Sequence, residues 1–188
     1  QKSVGPAVRK AFARAFRQGT GYPVALQGKN AIAQEVMTKL IQRLLEIDQA
    51  YAPFTLVGLE MGRSEPLYLD FALNSTTHVR LRGIIDRVDY KEGTFRVLDY
   101  KTGLDSPNVK HIATLFDRTG TRRNKAALQT LLYAWLFQEN YAVAPEKVMP
   151  GLISARQVFD EPFDPRFFIQ QPSSSSYLPI EDFGPHQE

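Results

Sequence analysis

The 188-residue chain contains no cysteine, which excludes disulfides. No apolar run approaches the roughly 18 residues of a membrane helix, and no signal peptide opens the chain, since Gln1 is followed by a basic amphipathic stretch. These absences point to a cytoplasmic compartment and no membrane partner. The chain also lacks internal repeats and a Walker A motif, so it has no P-loop of its own. Histidines 78, 111 and 186 show no ligand-like spacing; each reads as solvated or hydrogen-bonded, with a phosphate contact the one further role open to His111.

Acid is missing from residues 1–34, which hold Lys2, Arg9, Lys10, Arg14, Arg17 and Lys29, whereas residues 158–188 carry acids throughout and Arg166 alone as a base. Phosphate favours the first region and avoids the last. Arg9, Lys10, Arg14 and Arg17 are either a phosphate contact or the solvated face of a helix whose Val8, Phe12, Ala15 and Phe16 pack inward.

What is present suits one α/β domain, because 43% hydrophobic content can build a real core at this length. A helix is expected from Val4 to Phe16, broken by Gly19-Thr20-Gly21-Tyr22-Pro23. A longer one, capped by Asn30, carries Ile32, Val36, Leu40, Leu44 and Ile47 at helical spacing up to Tyr51-Ala52-Pro53. Strands are expected over residues 54–61, 67–73, 79–90 and 94–101. A helix follows from Lys125 to about Tyr141, with Leu128, Leu131, Leu132, Trp135 and Leu136 as its apolar stripe and Gln129 and Tyr133 one turn apart on a common side. A last strand over residues 148–155 completes a mixed sheet of about five strands covered by helices. Past Pro162 the character changes, and residues 171–188, with Ser173–Ser176 between Pro172 and Pro179, read as a peripheral loop or tail.

The chemistry concentrates on one hairpin. Ile84-Ile85-Asp86-Arg87-Val88-Asp89-Tyr90 and Phe95-Arg96-Val97-Leu98-Asp99-Tyr100-Lys101 flank Lys91-Glu92-Gly93-Thr94. With Glu92-Gly93 as the turn, Lys91 faces Thr94, and counting back sets Asp86 opposite Asp99 on one face. Like charges so opposed repel. A divalent ion offsets that, because Mg²⁺ takes one or two protein carboxylates plus water and substrate phosphate. Lys101, two residues past Asp99, shares the face through strand alternation. Arg87 and Asp89 fall on the opposite face and read as a surface ion pair.

The run Gly83-Ile84-Ile85-Asp86-Arg87-Val88-Asp89, then Asp99-Tyr100-Lys101-Thr102-Gly103, then Gln129-Thr130-Leu131-Leu132-Tyr133-Ala134 resembles the PD-(D/E)XK nuclease superfamily, and within it the nuclease domains of RecB- and AddB-like helicase-nucleases. The resemblance implies a restriction-endonuclease-like fold over residues 1–170, metal ligation by Asp86 and Asp99, a further ligand from the Tyr100 carbonyl, and a water-positioning Lys101. It also matches Glu60 to an acid on the preceding strand, and Gln129 and Tyr133 to a later Gln-x-x-x-Tyr motif. Without the resemblance, Glu60 reads equally as a surface strand end, and Gln129 and Tyr133 as helix-surface residues.

RecB-type domains usually carry a metal-binding His ahead of the first strand, and residues 1–60 contain none. The iron–sulfur cluster of some relatives is absent from this segment, which has no Cys.

A second basic cluster, Lys110, His111, Arg118, Arg122, Arg123 and Lys125, follows the hairpin and is placed to hold a phosphate backbone, or else forms a mobile charged loop. The reaction this reading implies is hydrolysis of DNA phosphodiesters with Mg²⁺, which Mn²⁺ can replace. The expected partners are DNA and a helicase or scaffold region, either of the same longer protein or of a partner subunit. The competing readings are a catalytically silent nucleic-acid-binding or scaffolding module of the same fold, and a non-nucleolytic metal hydrolase.

Overall fold

The structure, a computed structural model, describes residues 3–22, 27–117, 119 and 123–186. Composition suggests one domain, but the chain divides after Pro53 into two compact units.

The first unit is a pair of helices, α1 (Val4–Thr20) and α2 (Lys29–Tyr51). α1 outruns its expected end at Phe16 and stops where Gly21, at φ 77°, donates its N–H to the Arg17 carbonyl at 2.8 Å. That left-handed cap costs glycine no Cβ clash. Two helices bury only a narrow seam: Val4, Val8 and Leu40 are buried and Phe12 and Phe16 half-buried, whereas Ala15, Ile32 and Val36 are exposed. Asn30 is not the cap of α2; Gly28 occupies that position and Asn30 lies inside the first turn. Arg9, Lys10, Arg14 and Arg17 are all exposed.

The second unit runs β1 (Thr55–Met61), β2 (Leu67–Ala72), β3 (His78–Gly83), β4 (Ile85–Lys91), β5 (Thr94–Lys101), β6 (Asn108–Val109), α3 (Lys125–Tyr141), β7 (Val148–Ser154), β8 (Phe168–Gln170) and β9 (Tyr177–Pro179). Its main sheet is mixed, in the order β1-β4-β5-β7, with β5 antiparallel to β4 and parallel to β7. β7 is buried along its whole length, the signature of a parallel strand. Its Pro150 is tolerated because β7 closes the sheet edge. α3 covers one face, where Val88, Val97, Phe95, Val148 and Leu152 meet Leu131, Ala134 and Phe137; the Phe95 and Phe137 rings lie 5.3 Å apart.

Two expectations give way here. The single strand over 79–90 is two strands, because the chain leaves the β2–β3 hairpin at Gly83 and joins the main sheet at Ile85. A side chain at Gly83 has no room, since an added Cβ comes within 2.7 Å of Tyr133. The main sheet accordingly holds four strands rather than five.

The segment from 171 is no loose tail either. β8 pairs with β9, Ile180 and Phe183 are buried in the core, and their N–H groups donate to Phe167 and Val148 carbonyls at 2.7 Å each. Arg166, the lone base of residues 158–188, ties Asp164 to Glu181. Trp135 packs at the core margin, stacked on Phe71. Among the described residues no helix is long and apolar enough to cross a membrane.

Candidate active site

The β4–β5 turn is Glu92-Gly93, both at positive φ (50° and 91°), the geometry that suits the right-handed twist of a hairpin. It sets Lys91 opposite Thr94 and carries the pairing back to Arg87 opposite Leu98. One step further come Asp86 and Asp99. There the Asp86 carboxylate takes over from the ladder: its Oδ2 accepts the Tyr100 N–H at 2.8 Å. This pins Asp86 against the strand that bears Asp99 and Lys101.

From Asp99 a polar chain crosses to α3. Lys101 Nζ lies 2.6 Å from Asp99 Oδ2 and donates to Gln129 Oε1 at 3.0 Å; Gln129 Nε2 donates to the Tyr133 hydroxyl at 2.6 Å. Asp99 is 1% exposed. Burial raises its carboxyl above the ordinary value, Lys101 pulls it back, and Asp86 and Asp105 push it up again. The contact from Lys101 is an ion pair out of line for a hydrogen bond, and Asp99 Oδ2 has no aligned donor.

Asp105, whose Oδ2 points back at Gly103, is an acid near the site that the hairpin arithmetic does not reach. Asn124 holds the start of α3. It caps α3 by accepting the Ala127 N–H at 3.0 Å and ties the preceding loop by donating to the Ser106 and Asn108 carbonyls.

The register sets Glu60 between the pairs Leu59–Arg87 and Met61–Ile85, hence across from Asp86. Its backbone has φ 51° and its exposed carboxylate is engaged by Arg63. Lys110, His111, Arg123 and Lys125 are exposed; Arg118 and Arg122 lie outside the described residues.

The surface ion pair expected of Arg87 and Asp89 is instead a buried trio. Asp89, fully buried, accepts from Arg87 Nε at 3.0 Å and from Arg96 Nε at 2.6 Å, and Arg87 also lies over the Phe54 ring. Strand alternation put these residues on the correct face, but that face is covered.

A family model for the PD-(D/E)XK nuclease superfamily matches residues 2–178. The chain belongs to that superfamily. No curated protein matches it. Members of the PD-(D/E)XK superfamily are generally nucleases that typically use divalent metal ions, and the mixed α/β fold of this chain is consistent with theirs.

The residues present fit such an ion. Among the described residues no three His, Cys, Asp or Glu side chains assemble a ready-made cage. Mg²⁺ does not need one, since it keeps several waters and takes one or two carboxylates. Asp86 and Asp99 could supply those two, and the buried Asp99 Oδ2 without an aligned donor is an atom a cation would satisfy.

Proposed function

We propose that this chain hydrolyses DNA phosphodiesters with Mg²⁺, as the exonuclease domain of a RecB- or AddB-like helicase-nuclease of cytoplasmic DNA repair or recombination. The observation that carries the reading is the continuous line Asp99, Lys101, Gln129, Tyr133 beside the pinned carboxylate of Asp86. Two acids and one amine leave this pocket with excess negative charge, which suits a cation better than it suits a resting ion pair.

Asp86 and Asp99 hold the ion, with the Tyr100 carbonyl and Glu60 as further donors. An ion held there would lower the pKa of a bound water and neutralise charge on the scissile phosphate. Lys101 orients the attacking water and stabilises the charge that develops. Gln129 fixes the Lys101 side chain, and Tyr133 fixes Gln129, so the amine is held before substrate arrives. Lys110, Arg123 and Lys125, with Arg118 and Arg122, hold the phosphate backbone.

The test is Mg²⁺-dependent cleavage of linear DNA. Asp99→Ala should lower the rate by about 10²–10⁴ while folding is kept, since removing one of two apposed acids relieves repulsion; Lys101→Ala should lower it as much, with some loss of stability because the buried Asp99 loses its cation. Calorimetric Mg²⁺ binding should be lost in Asp86→Ala. Parental cleavage by Lys101→Ala overturns the assignment.

A further inference from the structure

Ser154 ends β7 in register with Lys101 across the parallel β5–β7 pair, so the two side chains leave the same face of the sheet. It is 2% exposed, and its hydroxyl has no hydrogen-bond partner among the described residues. A buried hydroxyl without a partner is costly, and alanine fills nearly the same space, so packing alone gives no reason for serine. The backbone here is firmly held: the Ala155 N–H donates to the Lys101 carbonyl at 2.8 Å, and the Ser154 carbonyl accepts from Gln157 and Val158 at 3.0 and 2.9 Å. The orphaned hydroxyl therefore belongs to a position whose main chain cannot drift.

In register with it stands a lysine with a donor to spare. A lysine has three N–H bonds; Lys101 gives one to Gln129 and sets another against Asp99 Oδ2 without aligning it. When Asp99 turns that oxygen to a cation, the Lys101 amine loses its acidic partner and keeps only Gln129. On the neighbouring strand the residue in register with Lys101 is Ser154, whose hydroxyl can accept.

We propose that Ser154 is a positioning residue of the hydrolytic centre, its hydroxyl taking over the Lys101 ammonium when Asp99 engages a metal ion. The inference rests on the reading given under Proposed function and adds a residue that the family motifs quoted above do not include. In the metal-free protein the hydroxyl waits without a partner; in the loaded protein it receives one, so its cost is recovered only on binding.

Ser154→Ala, Ser154→Thr and Lys101→Ala, compared with the parent, test this. Metal-free Ser154→Ala should melt at the parental temperature or about 2–4 °C above it, because an unsatisfied group is gone. Its Mg²⁺-induced stabilisation and its calorimetric Mg²⁺ affinity should fall, and kcat should drop about tenfold, the worth of one hydrogen bond, with KM for DNA unchanged. Ser154→Thr, which keeps the hydroxyl, should restore the Mg²⁺ response. Parental Mg²⁺ affinity and kcat in Ser154→Ala, with Lys101→Ala inactive, overturn the role of Ser154 and leave the nuclease reading standing. A Ser154→Ala that melts lower or fails to fold overturns it too, since the hydroxyl would then serve the fold. Parental cleavage by Lys101→Ala brings down both readings.

Discussion

On one face of the β4–β5 hairpin Asp89 sits between Arg87 and Arg96 with both its oxygens engaged; on the other, Asp99 meets a single amine and leaves Oδ2 without an aligned donor. Both carboxylates are almost wholly buried, and both lie on adjacent strands of one sheet. They differ in what surrounds them. Asp89 has two guanidiniums, whose planar forks match a carboxylate's oxygens. Asp99 has one flexible lysine and a second acid, Asp86, close enough to push its carboxyl up. Burial of charge is thus common to both, and saturation separates the group that holds the sheet from the group left open to a ligand. Nature of the residue says little here; the ratio of acids to bases around it says more.

The comparison breaks most visibly at Asp89. Asp89→Ala strips two buried guanidiniums of a shared carboxylate and should cost roughly 3–5 kcal/mol in urea denaturation. Cleavage per folded molecule should stay near parental, because Asp89 faces away from Lys101. A loss well under that range would mean the trio is not structural.

A smaller effect separates the two acids by pH. The Asp99 carboxyl is raised above its ordinary value of 3.8 by burial first, so the folded state favours protonation more than the unfolded chain does. Its contribution to stability is therefore complete below that ordinary value and is lost as pH rises through the raised one. Melting temperature of the metal-free protein should show this fall, and Asp99→Asn should flatten it. The slope persisting unchanged in Asp99→Asn would assign it to another group.

The smallest effects are expected at the exposed bases. Arg123→Ala and Lys125→Ala should leave melting and Mg²⁺ binding alone while each reduces the slope of log affinity for DNA against log salt by about one. Slopes identical to the parent would remove these residues from the phosphate path.

Much of the hairpin was legible from residue order. Gly93 after Glu92 specifies a two-residue turn, and once the turn is set, counting alone opposes Asp86 to Asp99 and brings Lys101 to the same face. Gln129 and Tyr133 follow from one helical turn plus the family pattern. The break at Gly83 was missed because β formers flank the glycine on both sides and merge two strands into one run, while Tyr133, which leaves no room for a side chain there, sits fifty residues later on another element. Burial of Arg87, Asp89 and Arg96 escaped for a similar reason: alternation gives the face but not what covers it. The anchoring of 171–186 was masked by its serines and prolines, though Ile180 and Phe183 carried the signal. Ser154 has no local mark at all, since its pairing with Lys101 comes from a parallel crossover through α3.

That crossover also orders assembly. β4 reaches β5 across a two-residue turn, whereas β7 must return from beyond α3, a far larger loop to close. A chain that ends before Val148 can oppose its acids but leaves the Lys101 strand as a bare sheet edge, open to pairing with other chains. Sheet connectivity thereby withholds the last strand beside the proposed site from any chain that stops before β7.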